Sequence, residues 1–355
     1  MSSTTHQSRL TYIDLLKGFG IFLVVWGHTM VPRSAYIYSF HMPFFFFLSG
    51  FIHKQKPLNQ FILNKINTLY VPYVIFTVFS WLFYLIRMIL KDNTALIDDH
   101  LSKLSSIFTG NADNGGNNPL WFLTCLLVIS VLFLFIQKFF THRKGLPFVI
   151  LISSFIGYRL SVYNISFHFN IDIAFTGLTF YYLGFLAKER NCLLLIKKLK
   201  PSIILLLLSL IEALHIVTAH LNIELSGISH VNMAGNVLGN YFLFYLSACC
   251  GIIFFMIVGF KVQSVNFLNY LGLNTLTVLA AHKPVLILIN DLANDYINTQ
   301  TNLYGFYASI MAILLIIPLI WLIDKYLPYI IGKKPLITLS HLRHSGFDHS
   351  SVTSR

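Results

Sequence analysis

An all-α, polytopic transmembrane bundle of about ten helices is the fold class this chain predicts, and three observations carry it. Hydrophobic residues make up 56% of the 355 and charged residues only 11%, where a soluble domain carries about 25% charged. Mean hydropathy is +0.70. About ten stretches approach the roughly 20 apolar residues that cross a bilayer. Backbone groups in lipid must bond internally, and apolar runs of this length do so as helices rather than as a barrel.

In chain order the stretches fall near 10–30, 36–53, 70–90, 119–140, 146–164, 169–187, 202–220, 241–260, 270–290 and 303–324. The first is long, charged and followed by no small-residue cleavage site, so it reads as retained rather than as a signal peptide. Little chain remains for a soluble domain. Residues 1–325 read as one integral membrane domain. Residues 326–355 read as a polar, Ser/His-rich cytoplasmic tail without a core of its own.

Lys and Arg set the orientation. With the N-terminus in the cytoplasm, 18 of the 25 basic residues fall on inner loops and tails, 4 on outer loops, and 3 (Lys17, Arg87 and Lys283) within segments. Both termini are then cytoplasmic. This asymmetry accounts for the net charge of +12 without nucleic acid as a partner. The four cysteines, Cys125, Cys192, Cys249 and Cys250, have no metal-type spacing and read as small buried hydrophobes. No metal is expected. The tail residues His341, His344 and His349 are better explained by a polar tail than by a metal site. No internal repeat of the kind many transporters carry is visible.

The informative residues are ionisable groups inside apolar segments, where each is costly and usually lines a cavity, pathway or reaction site. The first segment carries Asp14, Lys17 and His28. Lys17 and His28 lie about 16 Å apart along a helix axis and about 20° apart around it, so they share a face with Ile21 and Val24 or Val25. Such a stripe suits a helix flanking a polar tunnel. The second segment returns inward after a short connection and carries His41 near the outer surface, close to Pro43. The ninth brings His282 and Lys283 to the outer half, before Pro284, and Trp121 opens the fourth at the outer interface. Glu212 and His215, at i and i+3 in the seventh segment, read as hydrogen-bonding partners of a neighbouring helix. On the cytoplasmic side Lys54, Lys56, Lys65, Arg143, Lys144, Lys188 and Arg190 suit phosphates, although no Walker or dinucleotide motif is present. A neutral histidine at the outer face suits general-base work on a hydroxyl. From the residues alone two readings stand: an enzyme that takes an anionic cytoplasmic donor and acts at the far face, or a transporter.

Motifs separate them. The run Asp14-Leu-Leu-Lys17-Gly-x8-Gly-His28 resembles the first-helix signature of the acyltransferase-3 family of membrane O-acyltransferases, with Lys17 where the family has Arg, as in its fucose 4-O-acetylase-like branch. Ser39-Phe-His-Met-Pro43 through Phe51 is similar to that branch's second-helix motif. The stretch from Phe61 to Tyr73 is similar to a paired-arginine motif before a proline, with Lys65 at the first arginine position and Thr68 at the second. The stretch from Leu271 to Pro284 resembles a late helix ending in His-x-Pro. The resemblance covers residues 10 to about 325.

It implies a multi-pass enzyme of the bacterial cytoplasmic membrane that moves an acetyl group from cytoplasmic acetyl-CoA to a glycan hydroxyl at the outer face. Its partners would be membrane lipids, a polysaccharide or lipid-linked glycan, and polysaccharide-biosynthesis machinery. His28 is then the general base, with an acyl-histidine intermediate as the variant. His41 orients His28 or donates to the oxyanion or leaving thiolate. Lys17 stabilises the donor or, with Asp14, forms a structural intramembrane pair. Lys65, Lys54 and Lys56 hold coenzyme phosphates. Trp121, His282 and Asp14 meet the acceptor. The rival is a glycan or small-acid transporter or flippase.

Overall fold

The computed structural model describes residues 10–29, 34–92, 96–110, 116–140 and 143–338. It is helical throughout, apart from turns and one isolated antiparallel bridge between Asn232 and Val237. Seven helical runs are long and apolar enough to cross a membrane: Leu58–Leu90, Asn118–Phe139, His168–Glu189, Pro201–Ser226, Tyr241–Val262, Thr275–Ala293 and Asn302–Tyr326. The expected count of about ten is met only by adding α1 (Thr11–Gly27), α2 (Ser34–Phe51) and α7 (Leu146–Val162), of 17, 18 and 17 residues. α1 and α2 hold the ionisable residues Asp14, Lys17 and His41.

Several boundaries differ from those expected. The helical run into α4 (Val71–Leu90) begins earlier, with α3 (Leu58–Lys65) and a π-helical turn over Ile66–Tyr70. The stretch near 270–290 is two helices, α12 (Asn266–Leu273) and α13 (Thr275–Ala293), broken at Asn274. The remaining long helices are α6 (Trp121–Phe139), α8 (Ile171–Glu189), α10 (Pro201–Ser226), α11 (Tyr241–Val262) and α14 (Asn302–Tyr326), with the short helices α5 (Ile97–Ser102) before α6 and α9 (Leu193–Lys197) before α10.

Close backbone approach organises the centre. In lipid there is no hydrophobic drive between helices, so small residues that let backbones touch take its place. A Cβ on Gly18 would lie 1.8 Å from the Leu268 carbonyl oxygen, and one on Gly272 would lie 1.8 Å from that of Asp14. These two glycines fit α1 and α12 into each other. Gly50 and Gly184 do the same for α2 and α8, against the carbonyls of Tyr181 and Phe47 at 1.8 and 2.0 Å. The helices that carry the motifs are therefore seated without slack. Buried Phe40, Phe44, Phe46 and Phe244 fill the space around α2 and α11.

Glu212 and His215 of α10 do bond a neighbouring helix. The Tyr36 hydroxyl donates to Glu212 at 2.5 Å, and Ser39 Oγ lies 2.8 Å from His215 Nε2. Near the start of α4, Asn67 fixes the chain that follows α14. Its amide donates to the Ile337 carbonyl at 2.9 Å, and its oxygen accepts from the Leu336 and Ile337 N–H groups at 2.8 and 2.9 Å. Lys333 reaches Asp324 and Asn274 at 2.6 and 2.9 Å. The tail expected to be free from 326 is thus folded as far as Thr338, because Asn67 supplies buried polar partners the composition did not reveal. The histidines at 341, 344 and 349 lie outside the described residues, as does the side chain of Arg143.

Candidate active site

α1 ends at Gly27, and the His28 backbone N–H caps it by donating to the Val24 and Val25 carbonyls at 3.3 and 3.2 Å. The imidazole therefore emerges at the end of the stripe that begins at Lys17. Lys17, Ile21 and Val24 line a cavity of about 180 Å³. Its other walls come from Phe45, Leu48 and Leu126, with Ser49, Thr68 and Thr275 as polar contributions. A second cavity, of about 310 Å³, is lined by Val24 and His28 with Tyr38, His41, Trp121, His230 and Lys283. The two are stacked along α1 and share Val24, Met42 and Leu279.

Four imidazoles and a phenol meet at the His28 end. The ring centroids of His28 and His282 are 5.1 Å apart, edge to face. Tyr38 touches the other three: its ring centre lies 6.5 Å from His28, 5.0 Å from His41 and 4.9 Å from His230. The Tyr38 hydroxyl donates to the Gly27 carbonyl at 3.0 Å, and its oxygen is 3.5 Å from His28 Nδ1. A phenol has one proton. With that proton given to Gly27, the long contact to His28 requires Nδ1–H as donor, which leaves Nε2 with the lone pair.

The same reasoning sets the other rings. His41 Nδ1 lies 2.7 Å from the Ile37 carbonyl and His282 Nδ1 lies 3.0 Å from that of Val278, each four residues back. A carbonyl only accepts, so each Nδ1 donates and each neutral ring presents Nε2 as an acceptor. His282 Nε2 is buried with no hydrogen-bond partner among the described residues. A buried unsatisfied acceptor costs stability; this one belongs to a ring 5.1 Å from that of His28, though His282 itself lines neither cavity. His230 lies outside the long helices, in the connection between α10 and α11, and burial pushes it below its ordinary value of 6.5.

Pro284 helps to build this wall. It has no N–H for the Ala280 carbonyl, and that carbonyl accepts from Asn117 Nδ2 at 2.8 Å instead. Asn117 also donates to Ser80 Oγ at 2.8 Å. It thereby pins the turn that opens α6, with Trp121, against the helix that carries His282. Trp121 is not an exposed interfacial anchor: it is 4% exposed.

Not every expected residue joins the site. Asp14 is buried where α1 crosses α12, its carbonyl against Gly272, and it does not line the Lys17 cavity. Lys54 and Lys56 are exposed. Lys65 lies over the ring of Phe61, four residues back, at 5.4 Å. None of the three lines either cavity, although Ile52 and Thr68 beside them line the Lys17 cavity. Among the residues that line the His28 cavity and were not assigned to the site from sequence are Tyr38, His230, Asn118 and Lys283. The signal for Tyr38 was its place one turn before Met42 and three residues before His41. For His230, in a loop far along the chain, there was none. Among the described residues no three His, Cys, Asp or Glu side chains are grouped to hold a metal.

A family model described as an acyltransferase domain, acyltransferase-3, matches residues 10–322. No curated protein and no solved structure gives a match.

Proposed function

Because this chain belongs to the acyltransferase-3 family, we propose that it is a membrane O-acetyltransferase that takes acetyl from cytoplasmic acetyl-CoA and places it on a glycan hydroxyl at the outer face of a bacterial cytoplasmic membrane. In this reading α1, α2 and α7 cross the membrane with the seven longer runs, and both termini are cytoplasmic, as the Lys and Arg distribution favours. The observation that carries the reading is the pair of stacked cavities along α1, one beside Lys17 and one beside His28, sharing Val24, Met42 and Leu279.

The Lys17 cavity is mainly apolar with one cation, which suits an acyl thioester on a narrow arm better than a nucleotide. The nucleotide and its phosphates remain at the cytoplasmic mouth, where Lys54, Lys56 and Lys65 stand around the π turn. The acceptor enters the His28 cavity, with Trp121 and His230 as flat surfaces for a sugar face. His28 Nε2 takes the proton of the sugar hydroxyl as its oxygen forms a bond to the thioester carbonyl carbon. Tyr38 holds the opposite nitrogen and so fixes the tautomer. The tetrahedral oxyanion lies beside Lys283 and the Asn118 amide. On collapse the carbon–sulfur bond breaks, the thiolate leaves toward Lys17, and the proton on His28 returns to sulfur. The products are the glycan ester and free coenzyme thiol. His41 and His282, neutral rings with Nε2 as the acceptor nitrogen, suit stabilisation of the positive charge that forms on His28 better than donation to the oxyanion.

The test uses purified protein in detergent, acetyl-CoA labelled in the acetyl group, and glycan isolated from cells lacking the protein. The reading expects label in a base-labile ester on the glycan and one thiol released per ester formed. Uptake or binding of either compound without a new ester would overturn it in favour of transport.

A further inference from the structure

His28 stands between two cavities at its end of α1. One is the Trp121 cavity described above. The other, of about 280 Å³, shares with it only His28 and Lys283 among the described residues. Beyond His28 and Thr29 its lining comes from α13 and the turn before α14, with Asn290, Asn294, Thr299 and Gln300 as polar residues. None of its described lining residues is acidic.

The amides in it are oriented. The Tyr304 hydroxyl donates to the Asn290 side-chain oxygen at 2.7 Å, and the Thr299 hydroxyl donates to that of Asn294 at 2.9 Å. Each amide oxygen has one lone pair engaged, so each amide still offers a ligand its NH2 group and a second lone pair. The wall beside His28 thus holds uncharged amide and hydroxyl groups that both donate and accept, beside the Lys283 ammonium. Such a wall recognises an oxygen-rich, mainly neutral ligand through many modest hydrogen bonds, and sugar hydroxyl and ring oxygens meet that description. A long acyl chain or an aromatic group does not. Asn294 and Gln300 are exposed at the rim, so a ligand seated there continues outward.

We infer that this second cavity is a further glycan subsite, so that the acceptor runs through both cavities and presents to His28 a hydroxyl of an internal sugar unit. The inference rests on His28 acting on a glycan hydroxyl. It adds that the substrate is a chain of at least two or three sugars and that the enzyme modifies it away from its terminus. A base at the junction of two binding cavities meets the middle of a bound chain, whereas a base at the closed end of one cavity meets a terminus.

The experiment uses the full-length protein with acetyl-CoA and a size ladder of fragments cut from glycan of cells that lack the protein. Rates are measured for each fragment length, and tandem mass spectrometry locates the ester. The wild-type protein is expected to gain at least tenfold in kcat/KM between one unit and three, and to place the ester on an internal unit. In the double variant Asn294→Ala, Gln300→Ala, the ratio of kcat/KM for three units to that for one is expected to fall roughly tenfold, the scale of two lost hydrogen bonds. Both positions are exposed, and an unchanged unfolding midpoint checks that the fold is kept without the bond from Thr299 to Asn294. Equal rates at all lengths, an ester confined to terminal units, or an unchanged ratio in the variant would each overturn the subsite while leaving acyl transfer intact. No transfer to any fragment by the wild-type protein would overturn the acyltransferase reading, and the subsite with it.

Discussion

Replacing Gly272 by alanine tests whether the fit of α1 against α12 sets the position of His28. The added Cβ would lie 1.8 Å from the Asp14 carbonyl oxygen and 2.6 Å from its carbon. Real contacts of this kind do not fall below 3.0 Å, so the helices must separate by at least 1.2 Å. The neighbouring atoms are backbone and cannot rotate away. Overpacking of this sort costs about 1–3 kcal/mol. The functional cost is larger, because α1 carries both Lys17 and His28, and a misplacement of about 1 Å can cost on the order of 10²-fold in rate. Gly227→Ala is the comparison. Its Cβ meets nothing within 4 Å, but its φ of +64° is left-handed, so it carries only a backbone penalty of about 1–2 kcal/mol. The assay pairs initial rates of acetyl transfer with unfolding midpoints in the same detergent. The account expects both variants to lose stability and only Gly272→Ala to lose about 10²-fold in rate. A Gly272→Ala protein with wild-type rate, or equal rate losses in the two variants, would refute the claim that this crossing positions the base.

Two further outcomes follow from the hydrogen bonds and burial described. Tyr38→Phe removes the hydroxyl that contacts His28 Nδ1, a loss of about 0.5–1.5 kcal/mol, and kcat should fall roughly 2–10-fold with KM for acetyl-CoA unchanged; an unaltered kcat would show that Tyr38 does not set the tautomer. His230 is held below its ordinary value by burial. As pH falls, the unfolded chain takes up this proton first, so the contribution is intact above about pH 6.5 and is lost as pH falls through that value toward the folded one. The unfolding midpoint of the wild-type protein should therefore decline more steeply from pH 7 to pH 5 than that of His230→Gln, and parallel curves would contradict it.

The parts of this molecule that one helix determines were legible in its sequence. Eleven residues make just over three turns, so Lys17, Ile21, Val24 and His28 could be placed on one face, and they line the two cavities. Apolar length located the helices, though not their ends. Nothing in hydropathy marks the π turn before α4 or the break at Asn274. What depends on contacts across the chain was not legible. His230 reaches Tyr38 from nearly two hundred residues away, and Asn117 finds the carbonyl that Pro284 leaves without a donor. Asp14 is a second case. Its place one turn from Lys17 suggested a site residue, and nothing in the spacing showed that its backbone lies at a helix crossing, where a glycine on the partner helix sets the approach. Lys65 was assigned to phosphate from its motif position, and its contact with the Phe61 ring was not foreseen.

The most direct test of the central claim is the ester-linked acyl content of surface glycans, measured by mass spectrometry before and after mild base. It compares cells with this protein, cells without it, and cells with His28→Ala at equal protein level. Loss of a general base lowers the rate by about 10²–10⁴-fold. The account therefore predicts a base-labile acetyl mass in the first cells and none in the other two. Retention of that mass in the His28→Ala cells would contradict it.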